Sequence, residues 1–153
     1  MDRIDARIMS ELQSNGRVSW AQLASRINLS SSATQRRVEA LIESGVIKNF
    51  TVNLDEGKLG LSVKAFVSVN VDRTNVALAQ EFRARVMEHT QVQACHMLTG
   101  NIDFMLEVVA RDLAEFGKFL DGDLLGMPAV KDASSSIVLS EVKSKRTMIR
   151  QLV

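Results

Sequence analysis

Apolar residues recur every three or four positions through the first third of the chain. Ile4, Ile8 and Leu12 line one helical face, with Asp2 and Asp5 at the start, where carboxylates suit the helix dipole. Asn15-Gly16 closes that helix, and Ser19 can cap a second whose inner face is Trp20, Leu23, Ala24 and Ile27. After the break Asn28-Leu29-Ser30, a third helix capped by Ser30 or Ser31 turns Val38, Leu41 and Ile42 inward and ends at Gly45. Val46 to Leu54 then reads as extended, β-rich chain. Two short helices around a tight turn, preceded by a helix and followed by strands, is the winged helix-turn-helix plan.

The pattern changes after the polar, glycine-bearing run Asp55 to Leu61, which predicts a hinge. From Ser62 to Val71 the residues alternate, with Val63, Ala65, Val67, Val69 and Val71 on one face and Lys64, Phe66, Ser68 and Asn70 on the other. A helix is expected from Val76 to Glu88, with Val76, Ala79, Phe82, Val86 and Met87 inward. Strands are expected over Val92–Leu98, Phe104–Ala110 and Ser134–Val142, with a short fifth in the tail. Between them, Leu113, Phe116, Leu120 and Leu124 mark a second helix, stopped by Gly126-Met127-Pro128. The fold class predicted is α+β: an N-terminal winged helix-turn-helix over 1–50, a hinge over 51–61 and a ferredoxin-like βαββαβ domain over 62–153. Both helices of that plan pack on one sheet face. Phe66, Cys95, Met97, Val109 and Val138 are expected to leave an apolar patch on the other, which a second copy would cover as a homodimer.

Charge sharpens the reading of the first domain. The net charge is only +1, but no Asp or Glu falls between Leu12 and Val38, where Arg17, Arg26, Arg36 and Arg37 stand. The third helix would present Ser31, Ser32, Thr34, Gln35 and Arg36 to double-stranded DNA: hydroxyls for phosphates, and an amide and a guanidinium for base edges. Arg37 either contacts phosphate or holds the helix. A second basic cluster, Lys143, Lys145, Arg146 and Arg150, is either solvated surface or a further contact.

In the second domain, backbone N–H groups around Gly100 and Asn101 could cradle a carboxylate, and Asp103 could read an ammonium. Ser134, Ser135 and Ser136 could add hydroxyls; equally, Gly-Asn and Asp are ordinary hairpin residues. Cys95 and His96 are neighbours on a strand, so they point to opposite faces and make no nucleophilic dyad. One cysteine and two histidines cannot build a structural zinc site in one chain, and no cofactor motif is present. An enzyme is not expected. The charged N-terminus lacks the apolar core of a signal peptide and no apolar run is long enough to span a bilayer, so a cytoplasmic protein is expected.

Taken in order, Asp2-Arg3-Ile4-Asp5, Ile8, Glu11-Leu12-Gln13, Asn15-Gly16-Arg17, Leu23-Ala24, Leu29-Ser30, Arg37-Val38, Leu41 and Gly45-Val46-Ile47 resemble the opening of the Lrp/AsnC family of feast/famine regulators. So do Val92, Cys95-His96, Thr99-Gly100-Asn101, Asp103-Phe104 and Met127-Pro128-Ala129-Val130 in the second half. The resemblance implies a transcription regulator whose dimers often assemble into octamers with DNA wrapped around them. It implies an amino-acid effector bound between dimers at Gly100, Asn101 and Asp103, with Leu98, Thr99, Ser134 and Ser136 nearby. An apolar pocket there would suit leucine or methionine. The sequence departs from many relatives at Ser31 and Ala33, where they carry proline, and at Asn101, where they carry Asp. The alternative reading is an architectural DNA organiser with little ligand response.

Overall fold

Asp2 starts the first helix, α1 (Arg3–Ser14), through a reciprocal cap. Its carboxylate accepts from the N–H groups of Ile4 and Asp5, both at 2.8 Å, while Asp5 accepts from the Asp2 N–H at 2.9 Å. Ser19 and Gln22 make the same arrangement at α2 (Trp20–Ile27). Asn28 ends α2 in the left-handed region, with φ 58°, and Ser30 caps α3 (Ser31–Glu43) by accepting from Ala33 N–H at 3.2 Å. This chemistry makes the turn between α2 and α3 only three residues long. The computed structural model describes residues 1–143, so Lys145, Arg146, Arg150 and the expected fifth strand lie outside the described residues. Met1–Asn53 forms one unit and Leu54–Glu141 a second.

The core of the first unit is Ile8, Met9, Leu23, Ile27, Val38 and Leu41. Ile4 and Leu12 pack against it partly buried and Ala24 is buried, but two residues expected inward are exposed. Trp20 is 42% exposed, because it stands at the first position of α2, outside that cluster; Ile42 is exposed because it lies one residue, about 100°, around the helix from Leu41. The extended segment after α3 is not a strand pair. Ile47 donates to the Leu41 carbonyl at 2.9 Å and packs on the core, but Phe50, Val52 and Leu54 are exposed. No described strand lies beside that segment, so its backbone has nothing to form a ladder with.

The second unit is a four-stranded antiparallel sheet in the order β2-β3-β1-β4. Its elements are β1 (Val63–Val71), α4 (Val76–Glu88), β2 (Val92–Met97), β3 (Phe104–Ala110), α5 (Leu113–Lys118), a π-helical segment Phe119–Leu124, and β4 (Val130–Ile137). The alternating valines of β1 are buried against Phe82, Val86, Leu106, Phe116 and Phe119, with the Phe82 and Phe104 ring centroids 5.0 Å apart. Val76 and Met87 are exposed, contrary to the pattern, since the inner face of α4 is set by Phe82 and Val86, with Leu78 partly buried beside them. Leu113 is exposed too, and the π-helical segment turns Phe119 into the core. β4 runs earlier than expected. β1 begins at Val63, so after the Val138 N–H bonds Lys64 O at 2.8 Å the remaining described residues have no strand to pair with.

The uncovered sheet face also differs from expectation. The register places Lys64, Phe66, Ser68, Met105, Glu107, Val109, His96, Ser134 and Ser136 on that side. A bulge between Val92 and Ala94 changes the parity of β2, so Cys95 and Met97 pair with Leu106 and Phe104 on the helix side instead. Val109 is buried, leaving a face more polar than the sequence suggested.

Candidate nucleic-acid interface and candidate effector loop

The candidate reader helix is built by its cap. Ser30 turns the chain into α3, which exposes Ser31, Ser32, Gln35 and Arg36 in its first two turns. No acidic residue stands in the first turn. Gln35 Nε2 donates to Glu39 at 2.9 Å, which holds the amide along the helix, and Arg36 makes no ion pair with a described residue. Thr34 does not belong with the exposed set. It is fully buried, and its hydroxyl donates to the Ser30 carbonyl at 2.9 Å. Position 34 faces inward because it sits four residues before Val38, on the core stripe.

Arg37 bridges Asp5 at 2.7 Å and Asp2 at 2.9 Å. The two alternatives for this side chain are thereby separated: in this structure it ties α3 to the cap of α1. Those bonds raise the Arg37 pKa, Asp5 more than Asp2, and the Asp5 N–H, followed by Arg37, draws the Asp2 carboxyl below its ordinary value. Arg26 is engaged similarly, with Glu11 at 2.6 Å. Of the arginines between Leu12 and Val38, Arg17 and Arg36 keep their guanidinium groups clear of ion pairs with described residues.

The loop between β2 and β3 is closed by the Leu98 N–H, which donates to the Asp103 carbonyl at 2.9 Å. Gly100 takes φ 114°, a conformation side-chain-bearing residues rarely adopt, so glycine is needed for the loop's path. Leu98, Thr99, Gly100 and Asn101 are all exposed, and Met97 beside them is 74% exposed. The loop therefore stands on the surface of the chain.

Asp103 is the exception. It is buried at the foot of the loop, and its carboxylate is fully engaged: Val71 N–H donates to Oδ2 at 2.9 Å, and Arg73 donates from Nε to Oδ1 at 2.6 Å and again from a terminal nitrogen. The Arg73 bond, then the Val71 N–H, holds its carboxyl below the ordinary range. Asn70 accepts from the Asp103 N–H at 3.1 Å and donates to Asp132 at 3.1 Å. The loop is thus pinned to the end of β1 by side chains. Ser134 and Ser136 lie on the uncovered face, exposed; Ser134 pairs with Ser68 and Ser68 with Met105. Ser134 is therefore two strand spacings from β3, roughly 10 Å, and Ser135 faces the helix side.

Arg73 was not singled out by sequence. The turn Asp72-Arg73-Thr74-Asn75 reads only as a helix start, and nothing local connects it to a carboxylate thirty positions later. Cys95 carries a thiol whose pKa is raised by desolvation, the opposite of an activated nucleophile, and His96 lies 3.7 Å from Glu107. Among the described residues no group of three or more His, Cys, Asp or Glu could hold a metal ion, and no helix is long and apolar enough to cross a membrane.

A family model described as the Lrp/AsnC ligand binding domain matches residues 64–148, and a winged helix-turn-helix DNA-binding model matches residues 1–48. The chain is 37% identical to the Bkd operon transcriptional regulator of Pseudomonas aeruginosa, over 93% of this chain and 93% of that one. It is 32% identical to the leucine-responsive regulatory protein of Escherichia coli, over 97% of this chain and 91% of that one. A transcriptional regulator of Neisseria meningitidis, solved as a complex with L-methionine, superposes with a TM-score of 0.95 at 30% identity, covering 100% of this chain and 99% of that one.

Proposed function

This chain belongs to the Lrp/AsnC family of DNA-binding transcriptional regulators, and on that footing we propose that it is a non-catalytic, cytoplasmic regulator whose DNA binding or assembly responds to an amino acid. The reader is α3, meeting double-stranded DNA with Ser31, Ser32, Gln35 and Arg36. Arg17 adds a phosphate contact, and Thr34 and Arg37 hold the helix in place from inside. The observation that carries the effector half is the β2–β3 loop: pinned at its foot by Asp103, yet open to solvent at Leu98, Thr99, Gly100 and Asn101. A pocket around such a loop is incomplete in one chain. A second copy completes it, in a homodimer that assembles further toward an octamer. The ligand then shifts the balance between assemblies by its difference in affinity for them. The L-methionine bound to the Neisseria protein makes methionine the first candidate, with leucine next.

A thermal-shift screen of the purified chain against the twenty amino acids tests this, because a ligand that binds only the folded state raises its melting temperature. One or a few amino acids should give a clear rise, lost on Gly100→Val, which cannot follow the loop's path. A flat screen at millimolar concentrations would refute amino-acid sensing and favour the architectural reading. The engaged state of Asp103 is the one observation on that second reading's side, since its carboxylate is not free to take an ammonium.

A further inference from the structure

We infer that Arg73 binds the carboxylate of the amino-acid effector, and that Asp103 is the positioning residue that orients it. This rests on the effector reading above and adds to it the group that recognises the ligand's charge.

The pair is asymmetric. The Asp103 side chain is 9% exposed and the Arg73 side chain 68% exposed. An ordinary surface ion pair leaves both partners in water and holds neither firmly. Here a buried carboxylate, itself fixed by the Val71 N–H at 2.9 Å, grips one edge of an exposed guanidinium. The grip uses Nε and one terminal nitrogen on the same oxygen, Oδ1. The far amino group of Arg73 has no partner among the described residues. A guanidinium carries its donors in a rigid plane, so fixing one edge fixes the direction of the other. The result is a preorganised cation with donors facing solvent, suited to a second carboxylate.

Its place is set by the same bonds. Asp103 closes the β2–β3 loop through its carbonyl and holds Arg73 through its side chain. The guanidinium is thus one residue removed from the loop that Gly100 shapes. Neighbouring carboxylates do not compete for it. Asp72 accepts from the Thr74 N–H at 2.9 Å and hydroxyl at 2.7 Å and lies 3.5 Å from Lys131, while Asp132 is bonded by Asn70. The ligand class is therefore a free amino acid read first by its carboxylate. Its ammonium is left to groups other than Asp103.

The test is a titration at about pH 6.5 with L-methionine and L-leucine, each compared with its amide. The amide keeps the side chain and the ammonium but lacks the anionic carboxylate. The full chain is used as wild type, Arg73→Ala, Arg73→Lys and Asp103→Asn. Wild type should prefer acid over amide by roughly 10- to 100-fold, the range of a charge-assisted hydrogen bond. Arg73→Ala should remove that preference by weakening the acid and leaving the amide unchanged; the melting temperature should also fall, because the buried Asp103 carboxylate loses a partner, so the titration is run well below it. Arg73→Lys keeps the charge without the planar fork and should recover only part of it. Asp103→Asn should lower the acid-to-amide ratio, a readout that a purely structural role would not move. An acid preference that survives in both Arg73 variants would overturn the inference while leaving amino-acid sensing intact. Wild-type chain that binds neither amino acid, nor any other of the twenty, would remove the effector reading and this inference together.

Discussion

Arg37 and Arg36 are adjacent arginines with opposite employment. Arg37 is bound to two carboxylates of α1, and Arg36 projects from α3 with no such partner among the described residues. Replacing Arg36 with Ala should weaken DNA binding and lower the slope of log affinity against log salt by about one, the signature of one lost phosphate contact. Replacing Arg37 with Ala should leave the salt slope unchanged and lower the melting temperature instead. That loss should depend on pH. Asp2 has its pKa lowered in the folded state, so the interaction contributes fully above the ordinary carboxylate value near 4 and fades as pH falls through the depressed one. Melting temperatures of wild type and Arg37→Ala should therefore converge in acid, below the ordinary carboxylate range, and separate at neutral pH. Equal deficits at both pH values would show that the clamp acts through packing and not through charge. The sequence sets Arg36 among the DNA contacts and leaves Arg37 either on phosphate or holding the helix, because only the pairing of positions 2, 5 and 37 in space decides between those two. Thr34 was misread for a related reason: a hydroxyl suggests solvent, but four residues before Val38 it falls on the core stripe.

At the scale of elements, periodicity was a sound guide to the bounds of uninterrupted segments, though not to every inward residue near their ends, since Val76, Met87 and Ile42 are exposed. The bounds of α4 and β3 and the inward valines of β1 are as the alternation predicts. It misled wherever one extra residue entered. The bulge in β2 moves Cys95 and Met97 to the other face, and the π-helical segment puts Phe119 in the core. Neither insertion leaves a mark in composition, because each depends on what the neighbouring element offers. The end of the π-helical segment has a measurable consequence. A Cβ on Gly126 would lie 2.5 Å from the Gly122 carbonyl oxygen, a backbone atom that cannot swing away, whereas a Cβ on Gly122 would meet nothing within 4 Å. Gly126→Ala should destabilise the second unit by roughly 1–3 kcal/mol, and Gly122→Ala should be neutral or slightly stabilising through its effect on the unfolded chain. Chemical denaturation of both variants checks this, and equal stability would mean that the turn relaxes freely.

For the whole molecule, the decisive feature is how much apolar surface a single chain leaves in water. Phe50, Val52 and Leu54 alternate along a segment without a ladder partner, Leu139 is 96% exposed, and Phe66 sits in the middle of the uncovered sheet face. Monomers seldom leave such positions open without a partner. The sheet face is nevertheless mixed, with Lys64, Glu107 and His96 around Phe66, so an assembly through it would depend on few apolar anchors. Phe66 is the central one. A glutamate there would face its own symmetry mate or lose its hydration, and either outcome opposes a twofold contact. Phe66→Glu should leave the helices and sheet intact by circular dichroism while lowering the sedimentation coefficient toward that of one 16.9 kDa chain. DNA affinity should fall with it by roughly 100-fold, because two linked readers bind with a high effective concentration and two separate ones do not. If the variant sediments like wild type, the sheet face is not where copies meet. The exposed residues Phe50, Val52 and Leu54 would then be the next surface to test for a contact between copies.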